Sequence, residues 1–154
     1  MRSIQLDEGT WHLIQAHEDT ELGKPGSGQD ITAFERRHGV SLPPSHSEFL
    51  LRANGGYVGY ARVFGIGRGG YLDIEWQLGE MHRMLQATAD GPVLPFANDW
   101  GGGYFCYALD RRNEAGEYPV LYWDHEYAET AGYEAMLWSD TAPDFVTFLK
   151  DTLL

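Results

Sequence analysis

Gly65, Gly67 and Gly70 occupy the first, third and sixth places of a G-x-G-x-x-G pattern. Such a run cradles a pyrophosphate only when a helix N-terminus follows the last glycine at once, aiming its free amides at the anion. Tyr71-Leu72-Asp73-Ile74 reads as a strand instead, so a glycine-rich strand connection is expected, and no Gly-Lys-Ser/Thr P-loop occurs. His125-Glu126-Tyr127-Ala128-Glu129 begins as a metalloprotease helix begins but lacks its second histidine. The six histidines (12, 17, 38, 46, 82 and 125) stand singly, so no metal site is expected, and His125 reads as an exposed loop residue at a strand end. Cys106 could act as a nucleophile beside a histidine. Within Tyr104-Phe105-Cys106-Tyr107-Ala108-Leu109 it reads as a small core hydrophobe instead. There is no Gly-x-Ser-x-Gly elbow. With 23 acids in the chain, a glycosidase-like pair of carboxylates can always be picked out, which empties that signal of meaning. No enzymatic activity and no cofactor are expected.

What remains is recognition chemistry. Twenty-three acids face eleven bases, a formal charge of −12. Phosphate backbones and anionic lipid surfaces repel such a chain, so nucleic acid and membrane are excluded as expected partners and a basic protein is favoured. The charge is uneven. Residues 1–77 carry ten acids and seven bases, whereas residues 78–154 carry thirteen acids and four. From Asn113 to Asp144 there are eight acids and neither Lys nor Arg. That stretch is either a solvated face that keeps the protein soluble or a docking face, with Asp124, Glu126 and Glu129 nearest a strand end. Trp100 stands between Asp99 and three glycines at the tip of an expected hairpin. Either it folds back onto the sheet or it is an exposed anchor, a role in which Trp excels.

The elements that must position these groups follow from periodicity. With 154 residues, 43% of them hydrophobic, one core and one domain suffice. A single cysteine rules out an internal disulfide. No apolar run approaches the roughly 20 residues of a membrane span, and no signal-peptide h-region opens the chain, so a cytoplasmic protein is expected. A short helix is expected over about Glu8–His17, then a Gly/Pro/Ser loop at 23–29. A helix capped by Asp30 comes next, with Ile31, Phe34 and His38 on one face and Gly39 at its end. Leu42 must be extended before Pro43. A helix opens at Pro44 and stops at Asn54-Gly55-Gly56. Strands are expected at Tyr60–Ile66, Tyr71–Ile74, Val93–Ala97, Tyr104–Leu109 and Val120–Trp123, interrupted by a helix over Glu80–Gln86. A last helix has Pro143 in its first turn and Phe145, Phe148, Leu149 and Leu153 inside. This predicts an α+β domain: a central antiparallel or mixed sheet of about five or six strands flanked by four or five helices. Leu42, Phe49, Leu50, Phe96, Phe105, Phe145 and Phe148 should be buried.

Several of these segments carry a resemblance. Ile31-Thr32-Ala33-Phe34-Glu35 through Gly39-Val40-Ser41-Leu42-Pro43, then Phe49-Leu50-Leu51 and Asn54-Gly55-Gly56, resembles the opening of the SUKH superfamily. Leu94-Pro95-Phe96-Ala97-Asn98-Asp99 with Gly102-Gly103-Tyr104-Phe105-Cys106 is similar to the family's central hairpin, and Val120 to Glu126 to its next strand. Phe145-Val146-Thr147-Phe148-Leu149 is similar to its closing helix, with Asp144 where the family has serine. The resemblance spans about residues 30–150. It implies the family's α+β fold, no catalytic residues, and a choice of two roles. One is that of bacterial immunity proteins, which neutralise cognate, often nuclease, toxins. The other is that of the fungal regulator of cell-wall assembly and glucan synthesis, a scaffold for a cellular protein or glycan. A short chain without long flanks resembles the bacterial branch more. On the immunity reading the partner-binding residues expected are Asp99, Trp100, Asp124, Glu126 and Glu129.

Overall fold

In a computed structural model, which describes residues 6–128 and 131–153, seven strands form one antiparallel sheet. They are β1 (Glu21–Leu22), β2 (Gly56–Val58), β3 (Ala61–Val63), β4 (Val93–Asp99), β5 (Tyr104–Ala108), β6 (Val120–Trp123) and β7 (Trp138–Ala142), and their spatial order is their chain order. Six helices accompany them: α1 (Glu8–Ala16), α2 (Gly28–His38), α3 (Pro44–Arg52), α4 (Ile74–Thr88), α5 (His125–Ala128) and α6 (Phe145–Thr152). The α+β class stands, with more strands and helices than the periodicity suggested. The unexpected strands are β1, β2 and β7: β1 and β2 have only two and three residues, and β7, Trp-Ser-Asp-Thr-Ala, is mostly polar at the sheet's edge.

Two faces of the sheet are covered differently. α4 lies on one, tied down where Tyr104 Oη donates to Gln77 Oε1 (2.5 Å) and Trp138 Nε1 to Thr88 Oγ1 (3.0 Å). On the other, Phe96, Phe105 and Tyr107 meet Phe145 and Phe148 of α6 and His46 of α3. All seven side chains expected in the core are buried. Pro95 sits in a central strand, where its missing N–H would break a ladder; the register shift between Pro95 and Ala97 absorbs it.

The Glu35, Leu42-Pro43 and Asn54-Gly55-Gly56 motifs have local physical causes. Glu35 Oε2 accepts from the Leu42 amide (2.7 Å), folding the Val-Ser-Leu-Pro segment back against α2. Asn54 clasps Ile66 at both ends, Oδ1 accepting from its N–H and Nδ2 donating to its C=O, each at 2.8 Å. Gly55 and Gly56 have φ of 80° and 132°, where a Cβ would strike the backbone of Val63–Gly65 and of Glu21.

Ser27, not Asp30, caps α2, its Oγ accepting from the Asp30 amide (3.1 Å); Asp30 instead favours the positive pole of the first turn. Within Tyr60–Ile66 the strand is shorter than expected: Tyr60 completes the β2–β3 turn with Gly59, β3 spans only Ala61–Val63, and Phe64–Ile66 run beyond it. α4 runs four turns where a shorter helix was expected. Tyr71–Ile74 is not a strand: a 3-10 turn over Gly70–Leu72 leads to Asp73, the cap of α4. Alternating apolar residues over four positions cannot separate the two conformations. Asp144 caps α6 through the Thr147 amide (2.8 Å), and Pro143 precedes the cap rather than entering the helix.

Candidate interaction surface

Antiparallel register brings one end of the sheet together. Ala61 pairs with Asp99, Tyr104 with Trp123, and Trp123 with Trp138. The β2–β3 turn, the β4–β5 loop and the exit of β6 into α5 therefore share an edge. Asp99, Trp100, Asp124 and Glu126 all stand on it; Glu129 lies outside the described residues.

Asp99 shapes this edge. Its Oδ1 accepts from the Gly101 and Gly103 amides (both 2.9 Å), closing the loop, and its Oδ2 accepts from Tyr122 Oη at 2.6 Å. Burial and the Asp99 carboxylate push the Tyr122 phenol well above its ordinary range, so it stays a donor. Gly103 is required there because a Cβ would overlap the Tyr122 ring.

Trp100 is neither buried nor free. It stacks on Tyr57 with rings 5.5 Å apart and 6° from parallel, yet 68% of its surface is exposed. The Arg62 guanidinium lies 5.0 Å from the Trp100 ring and 5.7 Å from that of Tyr71. Arg62 is fixed in turn, Nε donating to Asn98 Oδ1 (2.8 Å) and Nη2 to the Asp99 carbonyl (3.0 Å). The result is an aromatic platform with one held cation, formed where the α4 layer stops short of β2 and β3. Such a cation–π contact contributes about 0.5–1 kcal/mol at an exposed site. Arg62→Ala should therefore keep the fold while shifting the Trp100 indole N–H resonance and increasing its quenching by acrylamide. An unmoved resonance would mean that Tyr57 alone holds the ring.

The acidic stretch divides into surface and interior. Glu117 is fully buried, its Oε1 accepting from Ser45 Oγ (2.6 Å) and its Oε2 from the Ser45 amide (3.1 Å). Burial raises its pKa. Asp144 is consumed as a helix cap, and Asp140 lies 3.5 Å from Arg111. Half-buried Asp124 caps α5, its Oδ1 accepting from the Glu126 amide (3.0 Å), while Glu126 is exposed. The field nearest the edge thus comes from Asp124 and Glu126. Asp19 and Glu21 join it beyond β2, since Glu21 pairs with Tyr57.

Among the described residues none of the catalytic patterns assembles. α4 does follow the glycine run, but Asp73 already occupies its N-terminus, Oδ1 accepting from the Glu75 and Trp76 amides and Oδ2 from Gly69. A carboxylate there competes directly with any phosphate. Burial pushes the Cys106 thiol up, away from a reactive thiolate. His46, the histidine nearest the core, is held neutral by burial, and its Nδ1 pairs with Tyr107 Oη at 2.7 Å. Among the described residues no group of three His, Cys, Asp or Glu is placed to hold a metal ion, and no helix is long and apolar enough to cross a membrane.

Sequence reasoning missed Tyr57, Arg62, Tyr71, Asp19 and Glu21. Each lies in a short element or turn with no distinguishing pattern, and only the tertiary structure gathers them. The chain matches no curated relative. The model of the SMI1/KNR4 family (SUKH-1) matches residues 25–151, the span that holds α2 to α6 and the aromatic platform. Covering most of the 154 residues, that match places the chain in the family: it belongs to SMI1/KNR4 (SUKH-1).

Proposed function

We propose that this chain is a non-catalytic, cytoplasmic protein-binding domain of the immunity type, which neutralises a toxin domain with a basic surface by docking the turn end of its sheet onto it. The observation that carries this reading is Trp100, 68% exposed on a pinned platform at the same end of the sheet as Asp124 and Glu126, with Gly102 of its loop facing His125. Nuclease toxins present cationic surfaces to phosphate, and an acidic inhibitor covers the same surface by complementary charge. Rim charge governs association, whereas a buried aromatic anchor governs dissociation.

The test needs a toxin domain against which this chain protects cells, sought first in the gene neighbouring its own. Asp124→Lys/Glu126→Lys should slow association at low salt and flatten its salt dependence. Trp100→Ala should speed dissociation about thirtyfold, equivalent to about 2 kcal/mol. Unchanged association of the double-lysine variant would reduce the acidic edge to a solubility feature. The cell-wall-regulator role draws on the same exposed Trp100, because its ring, stacked on half-buried Tyr57, also suits a sugar ring. It would show instead as glycan binding without salt dependence.

A further inference from the structure

Beside the platform, a groove of roughly 690 Å³ runs between residues 17–21 and the β2–β3 turn, within the 300–1,000 Å³ range of ligand pockets. One wall is aromatic: Tyr57, Tyr60 (46% exposed) and Trp100. The other carries His17, Asp19 and Glu21. The exposed Asp19 and Glu21 carboxylates have no hydrogen-bond or ion-pair partner among the described residues. Both walls are pinned. Asp19 N–H donates to His17 Nδ1 (3.1 Å), Glu21 pairs with Tyr57, and Gly59, at φ 57°, lies so close over the Thr152 carbonyl that a Cβ would overlap it. Across His17 the groove continues into an apolar patch with Leu13, 58% exposed. An apolar centre with a charged rim is the anatomy of a protein interface. The acidic wall, unlike the aromatic one, lies outside residues 25–151 that the family model matches.

We propose that this groove receives a lysine- or arginine-bearing segment of the protein partner. The aromatic wall of the shared module takes the aliphatic stem, and the chain's own residues 17–21 take the charge and so select the partner. This rests on the reading of the chain as a binder of a basic protein. Long cationic side chains lay their stems on aromatic faces while the head meets carboxylates, and pinned walls lower the ordering cost.

The test titrates the full ¹⁵N-labelled chain at low salt with two peptides, Ac-Gly-Lys-Leu-Lys-Gly-NH₂ and Ac-Gly-Glu-Leu-Glu-Gly-NH₂, at millimolar concentrations. The lysine peptide should shift the Trp100 indole and the amides of Asp19–Glu21 and Gly59–Tyr60. Asp19→Lys/Glu21→Lys should weaken it about tenfold or more, and Glu80→Lys/Glu114→Lys, with the same change of charge elsewhere, should not. Equal shifts with the glutamate peptide, shifts spread over the acidic surface, an unweakened Asp19→Lys/Glu21→Lys variant, or no shifts at all would each overturn the proposal. Because the peptides need no toxin, the groove can fail while the Asp124/Glu126 result stands, and the reverse.

Discussion

Acidification from pH 6.5 towards 3 should remove about 4–5 kcal/mol of stability through His46 alone. His46 is fully buried, stacks on Phe145 (4.4 Å, 6°), and leaves Nε2 without a hydrogen-bond partner among the described residues. Burial lowers its pKa from 6.5 to about 3. The folded state thus stays neutral while the unfolded chain takes up a proton below 6.5. The contribution is complete above pH 6.5 and is lost as pH falls towards the folded value. His46→Phe/Tyr107→Phe keeps the stack and removes both ends of the 2.7 Å hydrogen bond, so no buried hydroxyl is orphaned. Its unfolding free energy, measured with urea across this window, should fall far less than the parent's. Glu117 works the other way, its raised pKa adding stability on acidification, but both proteins share it. Parallel pH profiles would show that His46 protonates within the fold without penalty.

Glu117→Ala should cost about 3 kcal/mol or more, because it strands the Ser45 amide and hydroxyl in the interior. Glu117→Gln should be far milder, since an amide can accept from the Ser45 N–H and donate to its Oγ while removing a buried charge. The raised pKa gives the sign: burial disfavours the charged carboxylate, and the neutral amide carries no such penalty. Denaturant midpoints of the two variants test this. The same Gln variant removes one unit of formal charge without touching the surface. Its association with a basic partner should match the parent's, in contrast to Asp124→Lys/Glu126→Lys. A slowed Gln variant would mean that net charge, rather than the turn end, steers docking.

The sequence by itself determined what local chemistry and hydrophobic periodicity control. α1 and α3, the Leu42-Pro43 extension, the Gly39 terminus at φ 63° and the buried phenylalanines could all be read from spacing. So could the missing second histidine after His125 and the lack of a Gly-x-Ser-x-Gly elbow, whereas the glycine run fails for a reason only the structure shows, Asp73 at the N-terminus of α4. Where short segments compete, periodicity fails: Tyr71–Ile74 alternates like a strand, yet Asp73 captures two helix amides. Only the tertiary structure decided which acids face water, because burial separates Glu117 from Glu126 although both stand in the same charged run. It also decided the surface itself. Tyr57, Arg62, Tyr71 and Trp100 come from four separate segments, joined by strand register and by the gap in helix cover beyond α4. Packing creates that gap, and no pattern along the chain encodes it.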